Sequence, residues 1–469
     1  MKYLSSRGEA PVLSFSDVLL TGLAEDGGLY VPQEWPVLSP EAIRGFAGRP
    51  YPQVALEVLT PFVGQDISRA DLKRMVDEAY GTFRHPAVAP LVQAGPRDFV
   101  LELFHGPTLA FKDVAMQLLA RLMDHVLKER GQRATIVGAT SGDTGGAAIS
   151  AFAGSERTDV FILFPKGRVS PVQQRQMTTS GAVNVHAVAL EGTFDDCQAL
   201  VKAMFNDRRF RKASALSGVN SINWARIMAQ IVYYFTAAAS LGAPDRAVSF
   251  TVPTGNFGDI FAGYAAKRMG LPVERLVIAT NDNDILERTL VSGRYEMRGV
   301  HATTSPSMDI EISSNFERLL FEASGRQAEE VRRLMAQIQQ SRAFDVPAGT
   351  LAAIRAEFAA GRADEKEVAQ TIGATLDASA YLLDPHSAIA LNVARRQEGT
   401  EPMIALATAH PAKFPAAVKA ACGIEPPLPP THADLMERKE SFDVLPNDLD
   451  AVERYIAERS RAVTLGAAA

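Results

Sequence analysis

The stretch Arg133-Ala-Thr-Ile-Val-Gly138-Ala139-Thr-Ser-Gly-Asp-Thr-Gly-Gly146 runs from a short apolar segment straight into a polar glycine loop and then into small residues. The apolar part is continuous rather than alternating, as expected of a strand buried on both faces. The glycines mark a turn, and the small residues after them suit a helix packed close to the strand. The same unit recurs along the chain. Asp159-Val-Phe-Ile-Leu-Phe-Pro165, Val183–Leu190, Ala247–Pro253, Leu276–Thr280 and Met403–Thr408 read as further strands. Ala247–Pro253 feeds a second glycine loop, Thr254-Gly-Asn-Phe-Gly258, and a helix from Asp259 to Met269. Strands alternating with helices imply an α/β fold, a mostly parallel sheet covered on both faces. Ligands on such sheets lie at the carboxyl ends of the strands, where these loops fall.

Outward from this core the pattern changes. Residues 1–95 hold turn signals such as Asp26-Gly-Gly28 and a short strand near Leu29–Pro32, and read as an N-terminal α+β cap. Residues 96–304 and 376–425 form the expected α/β core in two subdomains, the smaller at about 110–190. Strand signals stop between 305 and 375; helical patches at 317–321, 328–340, 352–358 and 366–372 make this a helical insertion. Residues 426–469 read as a proline-bearing tail with a final helix, Asp448–Arg461.

Composition narrows the function classes. The 469 residues carry 48 basic and 54 acidic side chains, net charge −6, with no dense basic stripe, so nucleic acid is not an expected partner. Two cysteines, Cys197 and Cys422, allow neither a disulfide framework nor a cysteine metal cluster, and no metal is expected. The uncharged run from Ile227 to Pro244 is nearly long enough to span a bilayer, but its polar residues and soluble-looking flanks favour a buried helix. The start lacks an apolar signal core, so the expectation is a cytoplasmic protein without a membrane partner.

The chemistry points to Lys112. It follows the strand Phe99–Phe104 and the turn His105-Gly-Pro-Thr108, and opens an apolar helix through Val114, Met116, Leu118, Leu119 and Leu122. A lysine buried there loses charge easily, as a Schiff-base lysine must, whereas an exposed one would snorkel. Ser141–Gly146 and Thr254–Asp259 each offer free backbone N–H groups at a helix start, a place for anions. Two such places suit a phosphorylated cofactor beside a substrate carboxylate, or a dinucleotide. Ser221-Ile-Asn-Trp-Ala-Arg226 reads as a helix cap or a ligand contact, and Lys166-Gly-Arg-Val-Ser170 as a solvated turn or a phosphate grip. The histidines of Asp384-Pro-His386-Ser387 and Thr408-Ala-His410-Pro411 lack metal-ligand spacing and read as structural.

Together these stretches resemble the threonine synthases, enzymes of the fold-type II pyridoxal-phosphate class. The likeness also takes in Tyr3-Leu-Ser-Ser-Arg-Gly8, Asp26-Gly-Gly-Leu-Tyr-Val-Pro32, Pro165–Pro171, Asn220–Arg226 and Thr408-Ala-His-Pro-Ala-Lys-Phe414. It implies two mostly parallel sheet domains, the cofactor pyridoxal 5'-phosphate, and conversion of O-phospho-L-homoserine and water to L-threonine and phosphate, the last step of threonine biosynthesis. Lys112 would hold the cofactor and then carry protons. Gly255, Asn256, Phe257 and Asp259 would cradle its phosphate, and Thr408 would meet the pyridine nitrogen. Thr140, Ser141, Gly142, Asp143 and Thr144 would hold the substrate carboxylate. Asp143 stands where the wider class has asparagine, so the contact to the cofactor hydroxyl is open, with Asn223 a candidate. Lys166, Arg168, Ser170, Ser221 and Arg226 are candidates for the substrate phosphate. The chain would act as a monomer or homodimer. Two alternatives stand beside this: a related phospho-lyase releasing 2-oxobutyrate, and a non-catalytic phosphate-ligand binder.

Overall fold

The alternating apolar strands and helices close into two sheets. In the computed structural model, which describes residues 1–463, six strands lie in the order Phe358–Arg362, Val273–Thr280, Val248–Pro253, Met403–Ala407, Asp98–Glu102 and Leu91–Gln93. All neighbours are parallel except the last pair. The second sheet runs Asp443–Pro446, Val185–Glu191, Thr158–Pro165, Ala134–Ala139, Leu216–Ser217, parallel throughout. Thr158–Pro165 is buried at every position, which is why it shows no alternation in sequence.

The uncharged run is the helix Trp224–Ser240, in which only Thr236 and Ser240 escape full burial. It packs against the helices Lys112–Glu129 and Gly258–Arg268. Among the described residues no helix is long and apolar enough to cross a membrane. Trp224 at its start is fully buried among Tyr3, Trp35 and Phe62, with ring centroids 5.9, 6.0 and 5.7 Å away. Each such aromatic contributes roughly 1.5–3 kcal/mol by burial. The N-terminal residues are thereby fastened onto the helix that borders the site.

Three sequence readings are corrected. The segment read as free of strands supplies Phe358–Arg362 to the large sheet, paired parallel with Val273–Thr280, and Ala343–Asp345 to a small hairpin. Its helix stops at Glu357, so Phe358 belongs to the strand. The C-terminal segment is more than a tail with a helix, because Asp443–Pro446 extends the second sheet. Leu91–Gln93, inside the region read as a cap, forms the antiparallel edge of the first. All four strands are short or broken by glycine or proline, so their apolar pattern is too brief to register. The final helix runs Leu449–Arg459, with Asp448 capping it through Ala451 N. Residues 464–469 lie outside the described residues.

The chain passes from one sheet to the other through Lys112–Glu129. Lys112 therefore stands beyond the carboxyl end of Asp98–Glu102, and Asp143 beyond that of Ala134–Ala139. The two sheets point these ends at one another.

Candidate active site

Lys112 is the first residue of its helix, 9% exposed, with its Nζ 3.6 Å from Asp143 Oδ2 and 3.3 Å from Ser307 Oγ. Burial pushes its amine below the ordinary lysine value; Asp143 opposes the shift, and Arg226 and Lys413 reinforce it. Thr408 O accepts from Phe111 N at 2.8 Å, tying the lysine loop to the end of Met403–Ala407.

Asp143 is the hub. Its carboxylate meets Lys413 Nζ at 3.0 Å, Gln173 Nε2 at 2.9 Å and Ser307 Oγ at 3.3 Å. Burial alone would raise this acid, but Lys413 and then Lys112 hold it far below the carboxylate range. It is a permanent anion between two lysines. Arg226 is also buried, pushed down to about 10 by desolvation; its Nη1 donates to Val219 O at 3.3 Å and its Nε has no partner among the described residues. Three buried basic side chains thus gather near Asp143, and the spare Arg226 donor suits an anion.

The predicted site residues divide into three groups. Lys112, Asp143, Thr408, Arg226 and the 254–258 loop surround the junction of the sheets. Thr140 serves the loop itself, its Oγ1 accepting from Gly142 N and Gly145 N at 2.9 Å. Ser141 and Thr144 are half-buried beside it. Gly142 adopts φ +145°, and a Cβ there would lie 2.3 Å from the Gln173 side chain, so glycine is required. In the second group, side chains are engaged elsewhere. Asn223 caps its helix through Ala225 N at 3.0 Å and donates to Leu19 O at 2.9 Å, which fills both ends of its amide. Ser170 forms a capping box with Gln173. The Asp259 carboxylate turns away from the loop to accept from the Tyr233 and Tyr234 hydroxyls. The third group is peripheral: Lys166 and Arg168 are exposed, with Lys166 paired to Glu191 at 3.4 Å. Ser221 is half-buried, and its carbonyl accepts from Asn315 Nδ2 at 3.2 Å.

The loop Gly255–Gly258 is shaped by the segment read as an insertion. Ser313 Oγ donates to Gly255 O at 2.6 Å, and Asn315 donates to Asn256 O from its backbone at 3.0 Å and its side chain at 2.8 Å. Phe257 sits in the left-handed region, φ 65°, with its ring buried against Phe316 and Phe358. Lys413, Ser307, Ser313 and Asn315 are the residues sequence reasoning missed. Lys413 lies inside the Thr408–Phe414 motif and was legible there; the other three stand in a stretch without glycine-loop character.

These residues fit pyridoxal phosphate. A buried amine of lowered basicity stands at a helix start, the buried Arg226 keeps an unpartnered Nε among the described residues, and Gly255 leaves a space where a Cβ would lie 2.8 Å from Ser307 O. Gly255→Ala is expected to push the Ser307 segment outward at about 1–3 kcal/mol. Pyridoxal-phosphate affinity should then fall about 10- to 100-fold, read by fluorescence titration of the cofactor-free chain.

Two further acids give a pH signature. Burial raises Asp113 and Asp259 to about 6. An acid whose folded pKa is raised favours the folded state fully below its unfolded pKa, and that contribution is lost as pH rises through about 6. Asp259→Asn keeps an acceptor for both tyrosines and should flatten the loss between pH 5 and 7 by roughly 1 kcal/mol, measured as urea midpoints.

Comparison with known proteins agrees with this geometry. Family profiles match residues 2–80 as "Threonine synthase N terminus", 96–402 as "Pyridoxal-phosphate dependent enzyme" and 387–456 as "Threonine synthase, C-terminal". A threonine synthase of Pseudomonas aeruginosa is 53% identical over 461 residues, covering 98% of each chain. The crystal structure of PLP-bound threonine synthase from Brucella melitensis is 70% identical with TM-score 0.97, covering 98% of this chain and 100% of that one. Yeast threonine synthase superposes with TM-score 0.93 at 39% identity, covering 98% of each chain. The chain belongs to the threonine synthase family of pyridoxal-phosphate-dependent enzymes.

Proposed function

We propose that this chain converts O-phospho-L-homoserine and water to L-threonine and phosphate, acting without nucleic acid or membrane, in the cytoplasm, as a monomer or homodimer. The observation that carries the reading is the full-length likeness to threonine synthases, 98% of both chains at 53% identity. Lys112 would hold the cofactor, with its phosphate at the Gly255–Gly258 helix start. When bound, the cofactor withdraws electrons from the substrate and so acidifies its Cα proton.

The chain's own residues supply the rest. Lys112, whose amine is made less basic by burial, accepts the Cα proton and can return a proton after water has added at Cβ. Lys413 keeps Asp143 ionised, and Asp143 in turn limits how far the Lys112 amine is depressed. The Ser141–Thr144 loop takes the substrate carboxylate at a helix start. Arg226 has a donor to spare for an oxyanion, whereas Lys166 and Arg168 lie too exposed to exclude water from the departing phosphate. Incubation with O-phospho-L-homoserine should yield threonine and phosphate in equal amounts. Phosphate with 2-oxobutyrate would favour the lyase alternative, and no turnover the binding protein.

A further inference from the structure

Ser307 is flanked on two sides by hydrogen-bonded groups. On one side Asp309 Oδ1 accepts from Asn281 Nδ2 at 2.8 Å, Asn283 Nδ2 at 2.9 Å and Thr303 Oγ1 at 2.7 Å, and its Oδ2 accepts from Thr303 N at 2.9 Å. On the other, Asp384 caps the helix Pro385–Arg395 and meets His386 Nδ1 at 2.7 Å. Both are buried. With the Nδ1 proton directed at a carboxylate, His386 Nε2 is an acceptor, and Ser307 N donates to it at 3.3 Å. The hydroxyl so fixed lies 3.3 Å from Lys112 Nζ and 3.3 Å from Asp143 Oδ2.

The chemistry of the three groups differs. An ammonium only donates and an ionised carboxylate only accepts, whereas a hydroxyl does both. While Lys112 is charged, its N–H donates to Ser307 Oγ and the serine O–H donates onward to Asp143. Once the amine is neutral, the serine O–H can turn and donate to the nitrogen lone pair. Asp143 cannot take this part: it is 3.6 Å from the amine and already engaged by Lys413 and Gln173. We propose that Ser307, oriented by the Asp384–His386 pair, is a positioning residue that keeps a hydrogen bond to Lys112 in both its charged and its neutral form. This rests on Lys112 being the proton carrier described above.

The groups facing Lys112 are Asp143 on its own helix start, Lys413 from the 408–414 loop, Arg226 from Trp224–Ser240 and Asp259 from Gly258–Arg268; His386 acts on Asp143. The test uses the full-length chain stripped of pyridoxal phosphate. Lys112 is acetylated briefly with acetic anhydride from pH 6 to 10, and its modification rate is read by mass spectrometry. In Ser307→Ala both forms of the amine lose a partner, but the bond to the charged form is the stronger, so the midpoint of the rate profile should move lower by about half a unit to one unit, a three- to tenfold rise in the neutral fraction. Ser307→Thr, which keeps the hydroxyl, should restore the wild-type midpoint, and His386→Ala should shift it part of the way. An unchanged or raised midpoint in Ser307→Ala, or failure of threonine to restore it, overturns the proposal. Threonine formation does not enter this measurement, so an error in the assigned substrate leaves its outcome untouched.

Discussion

Lys112→Ala is expected to lower threonine formation by about 10³-fold or more while leaving the fold intact. The amine is asked to anchor the cofactor and to move protons, and among the described residues no other buried amine is placed to substitute. Lys413 is fully buried, but its Nζ is taken by Asp143, by Thr108 O at 2.6 Å and by Gln176 Oε1 at 2.7 Å. The fold should tolerate the change, because Asp143 keeps Lys413 and Gln173 as partners. Circular dichroism and urea unfolding check the fold, and a coupled phosphate assay checks turnover. Near-normal turnover by the variant would remove Lys112 from the centre of the mechanism.

Asp143→Ala should show the largest effect on stability. It strands Lys413, which is fully buried, and removes the compensating charge beside Lys112 and Arg226. Breaking one side of a buried pair costs about 3–5 kcal/mol. Replacing both partners, as in Asp143→Ala with Lys413→Met, should cost less than the single change, because the fully buried Lys413 ammonium is then no longer stranded. The pH dependence follows from the sign of the shift. Asp143 is depressed in the folded state, so its contribution is present above the unfolded carboxylate pKa of about 4 and fades as pH falls below it. Urea midpoints of the wild type should therefore drop more steeply on acidification than those of the double variant. Equal losses in the single and double variants would contradict the account.

The parts legible in the sequence are those where local chemistry and long-range position coincide. The run Ala134–Ala139 is apolar because it is buried on both faces, and Gly142 is glycine because Gln173 occupies the space of a Cβ. Lys112 stands out by its apolar helix and the turn before it. Other side chains are less legible. Asn223 and Ser170 carry polar side chains at helix starts, where a cap and a ligand contact look alike in sequence. Asp259 sits in a glycine loop, yet its direction is set by Tyr233 and Tyr234 on another helix. Ser307, Ser313 and Asn315 act on Lys112, Gly255 and Asn256 across dozens to nearly 200 residues of chain, and no local pattern encodes such a contact.

The central claim is that carbon–oxygen bond cleavage at this lysine site expels intact phosphate and that water then adds to the carbon skeleton. Turnover of O-phospho-L-homoserine in ¹⁸O-labelled water, with both products analysed by mass spectrometry, tests it most directly. The account predicts one labelled oxygen in threonine and none in the released phosphate. Label in the phosphate, with unlabelled homoserine as the other product, would mean simple phosphoester hydrolysis and would contradict it.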